Sequence, residues 1–199
     1  MGIVKMEMVP LVATFIMKVE VSLEIVEQVN SHIDKISRSR KKKDYSKNLA
    51  GEIQTGEQTQ IDPEHKDLLS LKNAYLKASE NYLYHWAQNS IIGYKERIIP
   101  QVGIFSKKPR FEINDMWYNK YYMCDYNPLH NHGTPSKMGL SSFLFLKVPE
   151  CLQDSKTPVG RGALGLNDGQ TYFNYGQSTG HDIYDLYCTP RLAAHPVVG

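Results

Sequence analysis

The hydrophobic and polar positions divide the chain into an N-terminal half of long periodic segments and a C-terminal half of short β-like runs. Val, Ile, Phe and Thr dominate Val9 to Val21, which predicts one long strand or two short ones. Ser22 can cap the helix that should follow, and Glu24 suits its first turn. The apolar stripe of this helix consists of residues at helical spacing, namely Ile25, Val29, Ile33 and Ile36.

A second helix is predicted from Asp62-Pro63, which supplies an N-cap and a first-turn proline, to about Asn89. Its apolar face consists of Leu68, Leu71, Tyr75, Tyr82 and Trp86. Between the helices, the basic run of residues 38–43 and the polar stretch after it have no periodicity, so we interpret both as solvated loop. His65 and His85 lack a His, Asp or Glu at i+4, so we interpret them as ordinary surface or packing residues.

After Ile98 the pattern changes to short apolar runs separated by turn signals, which is typical of antiparallel strands. These runs are RFEINDMWYNKYYMCD, LSSFLFLKVP, GALGL and TYFNYG, and Asn167-Asp168-Gly169 predicts a hairpin turn. Helices placed ahead of such strands predict an α+β domain with a sandwich or barrel. Residues 160–165 spell GxGxxG, but they lead into a strand rather than a helix, so we reject a dinucleotide site.

Composition predicts one ordinary globular domain over residues 1–199, with 41% hydrophobic residues, 22% charged residues and a net charge of +2. This charge gives no reason to expect nucleic acid as a partner. The three cysteines are far apart and form no CxxC pair, which favours a reducing, cytoplasmic setting. No apolar run approaches the roughly 18 residues that span a bilayer, so we expect no membrane partner.

The candidate chemistry centres on His130 and His132, which stand one residue apart before an apolar run. If this segment is extended, positions i and i+2 point to the same side, and both imidazoles can reach one metal ion. The HNH spelling is a coincidence, because in HNH nucleases those residues are dispersed through the motif. Two histidines in a polar turn, with no ion, remain the alternative interpretation of the pair.

The segment DMWYNKYYMCDYNPLHNHGTPSKMGLSSFLFLKVPE resembles the core of the Fe(II)/2-oxoglutarate-dependent oxygenases related to prolyl 4-hydroxylases. The matching residues follow in the family's order: 117–119, 125–127, His130-Asn131-His132, 140–143 and Pro149-Glu150. The resemblance implies a double-stranded β-helix, a jelly-roll of cupin type, flanked by the N-terminal strand and two helices. It divides the domain into residues 1–98, which carry the strand and helices, and residues 99–199, which carry part of the β-helix.

The same resemblance implies Fe(II) and 2-oxoglutarate as cofactors, with His130 and His132 as metal ligands. It also implies that Tyr121, beside Asn119, helps to hold 2-oxoglutarate, although core packing is an open alternative for the tyrosine. The implied reaction is hydroxylation of a peptidyl proline or another small substrate. A cupin-like metal-binding protein without oxoglutarate-dependent activity is the alternative function, and a homodimer is left open.

Two departures from the family pattern bear on the site. The family has His-x-Asp or His-x-Glu, whereas His132 occupies the carboxylate position here. In the family, a distal histidine and a basic anchor for the oxoglutarate carboxylate follow elements that this sequence does not reach. We therefore expect the chain to be truncated at its C-terminus. His181 and His195 are candidate substitutes for the third ligand, but an ordinary loop histidine is the favoured interpretation of each.

Overall fold

A computed structural model describes residues 3–10, 15–89, 111–128, 130, 139–153, 171–174, 183–186 and 192–198. The chain begins with two strands, β1 (Ile3–Pro10) and β2 (Phe15–Val21), which pair antiparallel. β2 lies within the predicted run of Val9 to Val21, whereas β1 lies mostly ahead of it. The other edge of β2 pairs with a further strand, which runs Leu192–Val198 and is β10 in chain order. The N-terminal strands and the last described strand therefore share one sheet.

This sheet has five strands, because β6 (Gly139–Leu140) and β7 (Phe143–Leu144) also pair with β10. A short helix, α3 (Glu150–Gln153), follows β7 in the chain. Farther on, β8 (Thr171–Asn174) and β9 (Ile183–Leu186) form a two-stranded pair. All pairings among the described strands are antiparallel. They neither form nor exclude a jelly-roll, so the double-stranded β-helix stays a prediction.

A three-stranded sheet consists of β3 (Lys43–Asp44), β4 (Glu57–Gln60) and β5 (Trp117–Lys120). The central strand β4 reads EQTQ and lies in the stretch that the sequence analysis interpreted as a loop, so that interpretation was wrong for these residues. The reason is that β4 is held by backbone pairing on both sides rather than by apolar alternation. Gln58 and Thr59 are buried despite their polarity.

Helix α1 (Leu23–Ser37) forms where the sequence predicts it. Ile25, Val29 and Ile33 of its apolar stripe are buried, and Ile36 is partly buried. Ser22 occupies the N-cap position, but its side chain makes no capping hydrogen bond. Helix α2 (Leu69–Asn89) extends to the last described residue of this stretch, and it begins later than Asp62-Pro63, after a 3-10 helix at Lys66–Leu68. The Asp62 carboxylate instead accepts a hydrogen bond from the Glu64 amide at 2.9 Å and forms a turn ahead of the helix.

The core lies where β2, α1, α2 and β5 meet. Val19 of β2, Val29 of α1, Tyr82 of α2 and Tyr118 of β5 belong to one buried cluster. Burial of such side chains is the main stabilising contribution to a domain of this kind. Among the described residues, no helix combines the length and the apolar character that crossing a bilayer requires.

Candidate functional site

The strand β5 places two of the predicted site residues in direct contact. The Asn119 side-chain amide donates to the Tyr121 hydroxyl at 3.0 Å. Because this hydroxyl accepts from Asn119, its own hydrogen stays available to donate to another group. The Tyr121 side chain lies at the protein surface, with 44% of the residue exposed. The structure therefore brings Asn119 and Tyr121 together, and their role in holding 2-oxoglutarate stays a prediction.

The pKa of Tyr121 is raised by partial burial, and the negative charge of Asp125 raises it further. Asp125 follows in a tight turn, where its carboxylate accepts from the backbone amides of Tyr122, Gln54 and Thr55 at 2.7–3.1 Å. Burial alone would raise the pKa of Asp125, but these amide donors outweigh it and lower the pKa to about 2. The tyrosine therefore stays protonated beside a carboxylate that stays charged.

His130 lies at the surface, two residues after Pro128, and its Nδ1 is 2.8 Å from the Pro128 carbonyl oxygen. A carbonyl oxygen only accepts, so Nδ1 carries a hydrogen, and in the neutral ring Nε2 then carries the lone pair. Metal-ligating histidines commonly have this arrangement, in which a backbone carbonyl fixes the ring and its tautomer. The local geometry thus fits a ligand role for His130.

The other three histidines considered as metal ligands are His132, His181 and His195. His132 and His181 lie outside the described residues. His195 lies in β10, where its Cα is paired with that of Met17. The predicted pair of His130 and His132 therefore stays a prediction, as does any third ligand from His181 or His195.

A second cluster joins α1 to the segment that precedes α2. The His32 Nδ1 lies 3.3 Å from Asp67 Oδ2, and the His65 Nδ1 lies 3.9 Å from the same oxygen. The two imidazole rings are tilted by 39°, with centroids 4.1 Å apart. One donor atom from each of the three residues lies within 4.8 Å of the others, so the cluster has the dimensions of a metal site.

The residues of this cluster differ in exposure and charge. The His32 side chain is only 5% exposed, whereas that of His65 is 41% exposed. Burial lowers the pKa of His32, as do His65 and Lys35, although hydrogen bonding to Asp67 opposes the shift. Burial raises the pKa of Asp67, but the hydrogen bond from His32 and the charge of Lys35 outweigh it. A neutral imidazole is thus held beside an ionised carboxylate.

No local sequence pattern predicts this cluster, because His32 is distant in sequence from the other two residues. His32 and Asp67 are 35 positions apart, so no local spacing rule joins them. One signal was present: His32 falls between Val29 and Ile33, on the apolar stripe of α1, where a polar residue needs a buried partner. His65 has no His, Asp or Glu at i+4, which is why the sequence favours an ordinary surface or packing residue. Its partner in the structure is Asp67, two residues farther along the chain.

Comparison with known proteins finds no matching family model, no similar curated protein and no similar solved structure. The resemblance to the oxygenases therefore rests on the motif residues alone.

Proposed function

We propose that this chain is a non-haem Fe(II)- and 2-oxoglutarate-dependent dioxygenase that hydroxylates a peptidyl proline or another small substrate. The observation that carries the proposal is the hydrogen bond from His130 Nδ1 to the Pro128 carbonyl. It presets the Nε2 lone pair for coordination at the position where the resemblance requires a metal ligand. His132, two positions on, would supply the second imidazole.

The pairing of Asn119 with Tyr121 supports an oxoglutarate-binding role. The Tyr121 hydroxyl accepts from Asn119 and can donate its own hydrogen to a carboxylate oxygen. The raised pKa of Tyr121 keeps that hydrogen in place at neutral pH. The nearby charge of Asp125 disfavours an anion, but three backbone amides already engage that carboxylate.

In such an enzyme, Fe(II) and 2-oxoglutarate supply the oxidative chemistry that functionalises an unactivated C–H bond. The chain's own residues bind and orient. His130 would hold the metal through Nε2, and Tyr121 would orient the far carboxylate of oxoglutarate. Surface exposure of both side chains leaves room for a ligand to approach.

Anaerobic metal binding tests the proposal, with Mn(II) as a redox-inert substitute for Fe(II) and 2-oxoglutarate added second. We expect Mn(II) affinity to fall at least about tenfold in His130→Ala, because loss of a residue that only supports a metal ligand already lowers metal affinity about 10- to 100-fold. In the wild type, 2-oxoglutarate should tighten Mn(II) binding, because it chelates the same ion. Tyr121→Phe should reduce that tightening while leaving the affinity for Mn(II) alone unchanged.

His65→Ala is the matched control, because it removes a partly exposed histidine of the other cluster and leaves His130, His132 and Tyr121 in place. It should keep the oxoglutarate-dependent part of Mn(II) binding. Equal Mn(II) binding and an equal oxoglutarate effect in the wild type and in the double variant His130→Ala, His132→Ala would refute the proposal. Metal binding that is lost with His130 but is insensitive to oxoglutarate would favour the cupin-like metal-binding protein.

A further inference from the structure

The polar cluster between α1 and the 3-10 helix combines one buried side chain with two partly exposed ones. His32 is buried within the apolar stripe of α1, and it meets Asp67 and His65 of the segment before α2. Two imidazoles and one carboxylate form a donor set that suits divalent transition metals of intermediate softness. We infer that His32, His65 and Asp67 form a second metal site, separate from His130, that binds Zn²⁺ or a similar ion.

The distances support coordination. Zinc bonds of about 2.0–2.1 Å to nitrogen and oxygen place tetrahedral ligand atoms about 3.3 Å apart. His32 Nδ1 and Asp67 Oδ2 are already 3.3 Å apart, and His65 Nδ1 is 3.9 Å from the same oxygen. Both nitrogens therefore lie within about 0.6 Å of the coordination spacing to the Asp67 oxygen, and all three ligand atoms lie within 4.8 Å of one another. Partial exposure of His65 gives solvent access, so water could fill the fourth position.

Three interactions would compete with the ion. His32 donates its Nδ1 hydrogen to Asp67, so coordination through that nitrogen requires the hydrogen to move to Nε2. The Asp67 amide donates to His65 Nδ1 at 3.2 Å, so zinc binding through that nitrogen must displace this hydrogen bond. Lys35 Nζ lies 3.6 Å from Asp67 Oδ2 and would be repelled by a cation. The Lys35 side chain is 69% exposed, so its ammonium group can move into water at little cost.

The role that follows from this placement is a cross-link. The ion would join α1 to the chain 35 positions farther on, at the start of α2, and both helices contribute to the buried core. An ion that binds only the folded chain stabilises that chain in proportion to its affinity. Zinc binding at the cluster should therefore raise the melting temperature.

The test uses the full chain with both His130 and His132 replaced by alanine, so that the proposed iron site cannot contribute. Zn²⁺ is titrated against a competing chromophoric chelator, and Co²⁺ absorption reports the coordination geometry. We expect one ion per chain, with an affinity that falls at least about tenfold on adding His65→Ala. The zinc-induced rise in melting temperature should disappear with it.

A second variant separates a ligand role from a structural one. Lys35→Ala removes a cation that would repel the zinc ion. Because the repulsion between unit charges about 4 Å apart in water changes a binding affinity by a few-fold, zinc should bind the variant a few-fold more tightly. A cluster that serves only as a hydrogen-bonded clamp would not respond in this way. Absence of zinc binding, or equal zinc affinity with and without His65→Ala and Lys35→Ala, overturns the inference. Either result leaves the His130 proposal untouched, because that site is absent from the tested background.

Discussion

The carboxylate of Glu57 links three elements, and its replacement by glutamine tests how much charge contributes to the fold. Glu57 Oε1 accepts from the Ser37 hydroxyl at the end of α1 and from the Tyr118 hydroxyl of β5, at 2.6 and 3.1 Å. Lys120 Nζ lies 3.0 Å from the same oxygen, and Lys42 Nζ contacts Oε2. Glutamine keeps the shape and one acceptor oxygen, but it removes the charge that both lysines face.

The magnitude follows from the pKa of Glu57. Burial by itself raises that pKa, but hydrogen bonds from Lys42, Ser37, Lys120 and Tyr118 outweigh burial and lower it from 4.5 to about 2. At 1.36 kcal/mol per pKa unit, the shift corresponds to about 3 kcal/mol of folding free energy as an upper figure. The Glu57 side chain is only 17% exposed, so solvent screening removes little of this contribution. We therefore expect Glu57→Gln to lower the free energy of unfolding by about 2 to 3 kcal/mol.

The pH dependence gives the sharper result. Because the folded pKa of Glu57 is depressed, its contribution is present above the unfolded value of 4.5 and is lost as pH falls toward 2. Urea unfolding followed by far-ultraviolet circular dichroism should show the full loss in Glu57→Gln at pH 7. The difference from the wild type should shrink progressively between pH 5 and 3.

Glu52→Gln is the matched control, because Glu52 is an exposed carboxylate just ahead of the same sheet. It should change the unfolding free energy by less than about 0.5 kcal/mol. The reasoning is refuted if Glu57→Gln behaves like this control at pH 7. It is also refuted if the effect of Glu57→Gln is as large at pH 3 as at pH 7.

Two further substitutions test packing, each with a neighbouring control. A Cβ at Gly56 would lie 1.8 Å from the Lys120 carbonyl oxygen, so Gly56→Ala should clearly lower the urea midpoint of unfolding. Gly51→Ala should lower this midpoint less, because the atoms nearest to Gly51 are the ends of flexible side chains. Leu68→Ala should lower the free energy of unfolding by about 2–5 kcal/mol, because Leu68 is fully buried. Leu69→Ala should lower it by less than about 1 kcal/mol in the same measurement, because Leu69 is 40% exposed.

The helices could be predicted because their apolar residues recur at a local spacing. Ile25, Val29 and Ile33 lie on one face of α1 and are all buried, so the periodicity reported burial correctly. The start of α2 could not be placed, because Asp62-Pro63 fits a helix start and a turn equally well. The 3-10 helix that follows depends on His65, whose ring accepts from the Asp67 amide. That contact is invisible to a rule based on residue type alone.

Strand β4 could not be predicted because its stabilisation is non-local. Its sequence, EQTQ, contains no apolar residue, and the pairing partners of its central position Thr59 are Asp44 and Tyr118, which lie at different distances along the chain. Thr59 is 1% exposed because it is covered from outside its own segment. Polar strands of this kind form when neighbouring strands satisfy both edges, and a single sequence does not reveal those neighbours.

The two histidine sites differ in how far the protein prepares them for a metal. In His130, the ring nitrogen that hydrogen-bonds the backbone is the donor, so the other nitrogen already holds the lone pair that a metal needs. In His65, the nitrogen nearest Asp67 is the acceptor from a backbone amide, so an ion must displace that hydrogen bond. Binding at the His32 cluster should therefore be coupled to local rearrangement of Lys66–Leu68. A metal at this cluster would thus alter the junction between α1 and α2.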